Sequence, residues 1–317
     1  MAGFSVASND HLIRSNLWTS QLKEVLEDEL FATKYIDWLT DFGDGDTMNI
    51  PSIGQMEVNN YAEGQAVSYT GMDTGNFTFT ITEYKQSATY IYEKFKQDSY
   101  YMNQVVSSFV PKQHRAISKV MESLALSVGP DGQTASNTNT INGAYHRYIA
   151  GGANETMVVE DYAKALYALQ KANVPATNLV AIVDPSVEFQ LNTLTNIVNV
   201  SNNPMWEGII ATGMTTGMRF VKNIYGFDTY VSQNLKSGIS ETVDSVTAAA
   251  GVANLFFSAA SDVLPIVGSV RQPIKVDSEF NKDLQREEYV STTRYGMKLF
   301  RPENMVVVIS DNDQVYA

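Results

Sequence analysis

DTMNIPSIGQMEVNNYAEGQAVSYTGMDTGNFTFTIT, residues 46–82, carries two strand signals and almost nothing that could form a core of its own. Residues 47–53 set Met48 and Ile50 between polar neighbours before Pro51 and Gly54 interrupt the pattern. Residues 67–75 end in turn formers. Phe77-Thr78-Phe79-Thr80-Ile81-Thr82 then alternates strictly with period two, which sends successive side chains to opposite faces of a strand. Gly71-Met72-Asp73-Thr74-Gly75 suits a hairpin tip. The segment therefore reads as one long β-hairpin. An isolated hairpin is marginal in water, so this one needs a surface to lie on.

Upstream, residues 1–12 lack periodicity and read as an extended arm. Between Arg14 and Phe31, the residues Trp18, Leu22, Val25, Leu26 and Leu30 recur at helical spacing, with Glu24, Glu27, Asp28 and Glu29 over much of the other face. Residues 41–47 form a turn-rich break. Downstream comes the longest helical signal. Met102, Val105, Val106 and Phe109, then Ile117, Val120, Met121, Leu124 and Val128, make one stripe over roughly seven turns. Pro111 is expected to kink or break this helix, and Gly129-Pro130-Asp131-Gly132 to end it. Residues 133–143 read as a flexible surface loop. Beyond Gly151-Gly152 the pattern is mixed α/β. Helices are expected over 158–172 and 185–196, a buried strand over 178–183, and a strand-turn-strand over 220–232. Short buried runs follow at 252–258 and 263–267, and strands at 289–299 and 305–309.

Composition narrows the function classes. The 317 residues, 44% of them hydrophobic, can build a sizeable core as one large domain or two coupled ones. No stretch approaches the ~20 apolar residues of a membrane span; the longest candidate, 247–260, is broken by Gly251, Asn254 and Ser258. Met1-Ala2-Gly3-Phe4 does not open a secretory signal. The lack of cysteine excludes disulfides and thiolate chemistry and fits a reducing cytoplasm. A net charge of −13, from 35 acidic and 22 basic residues, runs against a tight electrostatic grip on nucleic acid.

No catalytic, cofactor or metal set emerges. His11, His114 and His146 stand at no metal-ligand spacing, and neither a nucleophile elbow nor a phosphate loop is present. Gly213-Met214-Thr215-Thr216-Gly217 lacks the lysine of a phosphate cradle. Asp41-Phe42-Gly43 spells a kinase triplet without the catalytic loop that must accompany it. Asp41, Asp44 and Asp46 lack the later bidentate Glu of a calcium loop, so a solvated turn is the simpler reading. The adjacent Glu287 and Glu288 would point to opposite faces of a strand.

The order of parts resembles the major capsid proteins of tailed bacteriophages, the Hong Kong 97-like fold also used by encapsulins, over essentially the whole chain. Leu17-Trp18-Thr19-Ser20-Gln21-Leu22 resembles the family's arm helix. Gly45-Asp46-Thr47-Met48-Asn49-Ile50-Pro51 resembles the entry to its extended loop. Asn173-Val174-Pro175 through Asp184-Pro185 is similar to the start of its axial domain, and residues 217–235, with Ile224-Tyr225-Gly226-Phe227, to that domain's strand-turn-strand. Tyr295-Gly296-Met297-Lys298-Leu299-Phe300-Arg301-Pro302-Glu303 resembles the final strands.

The resemblance implies an α+β Hong Kong 97-like capsid fold. Its parts would be an N-terminal arm and short helix (1–45), an extended β-hairpin loop (46–84), a peripheral domain with the spine helix (85–172 and 283–317) and an axial domain (173–282). It implies a non-enzymatic subunit that assembles with itself into pentamers and hexamers of an icosahedral shell around double-stranded DNA. No cofactor or membrane is implied. Partners would be a separate scaffolding protein, since the arm starts so near Met1, a portal, and in some relatives a decoration protein. The setting would be the virion, assembled in the host bacterial cytoplasm. Trp18, Leu22, Tyr69, Met72, Phe77, Lys85 and Lys94 are the expected intersubunit contacts. Lys85, Lys94 and Lys96 would face Asp98 and the acidic arm helix, with solvated faces as the bland alternative. Some family members form Lys–Asn crosslinks; the hairpin tip here carries no lysine, so none is expected. An encapsulin-type compartment, an α/β enzyme without recognisable motifs, and an adhesin remain as alternatives.

Overall fold

A computed structural model of the chain describes residues 30–40, 45–53, 58–60, 63–66, 74–98, 102–133, 139–193 and 220–311. In chain order the strands are β1 (Ile36–Trp38), β2 (Thr47–Ile53), β3 (Thr74–Thr80), β4 (Glu83–Tyr92), β5 (Thr140–Ile141), β6 (Ala144–Tyr145), β7 (Arg147–Ile149), β8 (Leu179–Val183), β9 (Phe220–Ile224), β10 (Phe227–Val231), β11 (Ile239–Val243), β12 (Val246–Ser258), β13 (Ile266–Asn281), β14 (Arg286–Leu299) and β15 (Val306–Asp311). The helices are α1 (Glu93–Asp98), α2 (Met102–Gly132), α3 (Val159–Lys171) and α4 (Pro185–Thr193).

The apolar runs of β8, β12 and β15 are continuous rather than alternating because their sheet is covered on both faces. It has seven strands in the order β7-β15-β12-β8-β10-β9, with β11 paired to β12. On one face Val180, Ile182, Leu255, Phe257, Val307 and Ile309 join Ala125 and Leu126 of α2. On the other, Ala181, Phe256, Val306 and Val308 meet Tyr162, Ala165 and Leu169 of α3 and Val187 and Leu191 of α4. Tyr162, Phe227 and Phe256 stack edge to face there, with centroids 4.9 to 6.2 Å apart. Tyr225 and Gly226, both at positive φ (51° and 86°), make the tight turn between β9 and β10.

The second sheet has four strands in the order β1-β13-β14-β4, and α2 lies against one face of it. Phe109 meets Ile91 and Tyr289, and the Gln113 side chain both donates to the Tyr289 carbonyl (3.2 Å) and accepts from the Ser291 hydroxyl (2.7 Å). At ~1.5 Å per residue, α2 is about 46 Å long, enough to bridge both sheets.

Three expectations need correcting. The helix is not interrupted at Pro111, and it continues through Pro130 to Gly132. Pro111 is exposed, so water can reach the carbonyl its ring leaves without an N–H partner. The glycines expected to stop the helix instead let its end close on the sheets. A Cβ at Gly132 would sit 2.8 Å from Leu299 Cβ, and one at Gly129 3.2 Å from Met305 Sδ. Arg147 donates to the Pro130 carbonyl (2.7 Å) and Gln133 to that of Met305 (2.6 Å), which holds that end in place.

The hairpin is real, but its tip is misplaced. β2 and β3 pair antiparallel from Thr47↔Thr80 to Ile53↔Thr74, so Thr74 and Gly75 are strand, not turn. That register is centred on residues 63 and 64, where Glu63 and Gly64 do form a turn with Gly64 at φ 85°. The third correction concerns β4, β11 and most of β13, which were not anticipated as strands. The arm helix expected over residues 14–31 and the acidic turn at 41–44 lie outside the described residues, apart from Leu30 and Phe31. The boundary expected at 282/283 falls in the turn between β13 and β14, which pair from Ile266↔Leu299 to Asn281↔Arg286.

Candidate intersubunit surfaces

Of the seven expected contact residues, Trp18, Leu22, Tyr69 and Met72 lie outside the described residues. The structure spreads the other three over the body without gathering them into one site. Phe77, on β3, is half-buried against its own chain: its ring meets Phe300 edge to face at 4.8 Å, and the Lys298 ammonium lies 4.9 Å from its centre. Lys298 also donates to the Thr78 carbonyl (2.8 Å), and Phe79 is fully buried. Phe77 thus fastens the hairpin base to the end of β14. Lys85, on β4, pairs with Glu83 at 2.6 Å and lines a groove beside α2. Lys94 is exposed on α1. Lys96 pairs with Glu287 of the same chain at 2.9 Å, which holds the Glu287 carboxyl below its ordinary range.

The sequence reading missed the far face of the four-stranded sheet. Strand periodicity puts Tyr84, Tyr90 and Tyr92 of β4 on the face away from α2, and all three are exposed. The Arg286 guanidinium sits 4.4 Å over the Tyr90 ring, Tyr92 lies 5.3 Å from Tyr90, and Arg286 pairs with Glu288 at 2.7 Å. Near one end of the sheet Phe95, Phe280 and Leu284 are also exposed. β4 is an edge strand, so one side of its backbone has no ladder partner among the described residues. The spacing of Tyr84, Tyr90 and Tyr92 at even intervals was the available signal.

Two buried features tie α2 to the body. The Glu122 side chain, 0% exposed, accepts from the backbone N–H of Phe31 (2.9 Å) and, through both oxygens, from that of Ala32 (2.8 and 2.9 Å). Arg147 of β7 forms a two-pronged pair with Glu241 of β11 (2.9 and 2.8 Å), and both side chains are buried. His146 is fully buried, and desolvation pushes its imidazole below the ordinary range despite contacts to the Ala144 and Glu303 backbones. Among the described residues no three His, Asp or Glu side chains are grouped to hold a metal, and no helix is long and apolar enough to cross a membrane.

The fold has close structural counterparts. The Mycobacterium phage Che8 structure superposes with a TM-score of 0.69 at 17% identity, covering 94% of this chain and 97% of that one. The capsid of cyanophage P-SCSP1u gives 0.72 at 14% identity, covering 98% and 96%. The mature capsid of bacteriophage PhiM1 gives 0.70 at 11% identity, covering 93% and 91%. Two sheets bridged by a long helix, with a hairpin fastened at its base, are thus the α+β Hong Kong 97-like architecture of shell subunits. The family model described as phage capsid protein matches residues 76–308, and the chain belongs to that family. It is a structural major capsid protein of a bacteriophage virion. Comparison with curated proteins finds no match.

Proposed function

We propose that this chain assembles with itself into pentamers and hexamers of an icosahedral shell that encloses double-stranded phage DNA. The observation that carries the proposal is the four-stranded sheet, covered by α2 on one face and bearing exposed Tyr84, Tyr90 and Tyr92 on the other, with β4 as an edge strand among the described residues. A lone subunit leaves this aromatic area to water; a neighbour covers it. Residues 173–282 would gather around the pentamer and hexamer axes, and 85–172 with 283–317 would form the periphery. The 46–84 hairpin and the 1–45 arm would lap over adjacent subunits. Many modest contacts then act together, so the shell holds by multivalency rather than by one strong interface.

The net charge of −13 supports a shell that surrounds DNA without gripping it. A separate scaffolding protein, a portal and in some settings a decoration protein complete assembly, which takes place in the host cytoplasm. Residues 46–82 contain no lysine, so denaturing gels should show no covalent ladder of hairpin crosslinks. The test is negative-stain electron microscopy of the chain expressed alone and with its neighbouring genes. Uniform icosahedral particles holding DNA uphold the proposal, and particles holding protein cargo make it a compartment shell instead. A monodisperse monomer under every condition refutes assembly.

A further inference from the structure

A cavity of about 380 Å3 lies beside β7, lined by Tyr148 and Ile149 of that strand, Tyr145 of β6, Tyr167 of α3, and Val243 and Val246 at the tip of the β11–β12 hairpin. Tyr145, Tyr167 and Val246 are exposed. In the parallel ladder between β7 and β15, the Val307 N–H donates to the His146 carbonyl (2.9 Å) and the Ala150 N–H to the Ile309 carbonyl (2.8 Å). Residues 146 and 150 thus turn their backbone groups toward β15, and the alternation of a strand turns those of Ile149 away from it. Ile149 is buried, yet among the described residues its N–H and C=O have no ladder partner. Buried backbone groups are costly to leave unpaired.

We propose that residues 312–317 of the same chain fill this cavity as a short strand added to the free edge of β7. The described part of β15 ends at Asp311, two residues past Ile309, which is bonded to Ala150. Gly151, the next residue of that chain segment, lines the cavity. Crossing from β15 to the far side of β7 covers two strand spacings, about 10 Å. Residues 312–317 reach ~20 Å when extended, enough to cross and still pair with Ile149. A Cβ on Gly151 would sit 2.9 Å from Lys164 Nζ, so that ammonium stands where the segment crosses. Lys164 pairs with buried Asp161 at 3.4 Å, and 53% of its side chain remains exposed to receive Asp313. Successive strand side chains face opposite ways, so Val315 and Tyr316 meet opposite walls. One wall continues the α3 face of the sheet and the other the α2 face, to which Ile149 and Val243 belong. Both walls are apolar, as those two residues require. With the segment in place, β7 is no longer an edge open to foreign strands.

Hydrogen exchange on the unassembled subunit tests the proposal by comparing the full chain with one that stops at Asp311. The Ile149 amide should exchange at least about fivefold faster in the shortened chain, the loss of roughly one hydrogen bond. Equal rates overturn the proposal. If the shortened chain does not fold, Val315→Asp with Tyr316→Asp in the full chain should produce the same acceleration, and an unchanged rate is again fatal. Lys164→Ala should quicken this exchange in the full chain and leave it unaltered in the shortened one. Equal effects in both would tie Lys164 to Asp161 alone and count against the crossing path. The chain has no cysteine, so a Tyr167→Cys, Val315→Cys variant treated with a short bismaleimide identifies the donor. A link within one chain upholds the proposal, whereas a linked dimer, or no link, overturns it.

Discussion

Replacing Glu122 with alanine should loosen the point where the described body begins. The substitution leaves the Phe31 and Ala32 N–H groups buried with no acceptor, at about 1–3 kcal/mol each. Against this stands the release of a buried carboxylate whose hydrogen-bond partners among the described residues are backbone N–H groups, so desolvation energy is recovered. If the hydrogen bonds dominate, the net loss is about 3 kcal/mol. Glu122→Gln keeps the shape and one acceptor oxygen but gives up charge assistance, for a loss of about 1–2 kcal/mol. Urea denaturation of the unassembled subunit measures both, provided the slope stays constant between variants. Hydrogen exchange at Phe31 and Ala32 should quicken in the same order, alanine ahead of glutamine. An alanine variant within about 0.5 kcal/mol of wild type would refute the view that Glu122 fastens this segment.

Arg147→Met should cost about 3–5 kcal/mol by stranding buried Glu241, and adding Glu241→Leu should recover most of it; equal losses for single and double variants would refute a coupled pair. Gly251→Ala places a Cβ against Ile309 Cγ2, where β12 meets β15, and should lower stability by about 1–3 kcal/mol in a thermal melt. His146 binds its proton less readily folded than unfolded. Its contribution to stability is therefore complete above its ordinary pKa of 6.5 and is lost as the pH falls from there through the depressed folded value. His146→Gln should remove that acid-side slope in denaturation followed from pH 7.5 to 5; an unchanged slope would assign it to other groups.

The elements legible in the sequence were those whose side chains sort cleanly into apolar and polar. β8, α3 and the α2 stripe stood out because Val180, Ile182, Tyr162, Leu169, Ile117 and Val128 face a core. β4 did not, because nine of its ten residues are tyrosine, threonine, alanine, serine or long polar side chains, and only Ile91 is buried. β13 was hidden by its exposed second half and by Pro273, which falls at a register shift where a strand tolerates proline. Gly71–Gly75 looked like a turn from composition alone, while the pairing register puts the bend near Gly64, a position that no local signal distinguishes. The groove beside α2 was invisible for a different reason. Its walls come from residues 83–85, 120–127, 233–236 and 295, which only the finished fold brings together.

The placement of β15 sets a clock on the ribosome. β7 has a single strand partner among the described residues, β15, with Ile149 beside Ile309. Its ladder therefore stays open until about 160 further residues have been made, roughly ten to thirty seconds at ordinary elongation rates. Through that interval Val307 and Ile309 are missing from one face of the seven-stranded sheet, and Val306 and Val308 from the other. A nascent chain thus lacks a finished surface to offer its neighbours. Shell growth draws on completed subunits, and until β15 arrives the open β7 edge and the uncovered sheet faces are where crowded nascent chains would stick to one another.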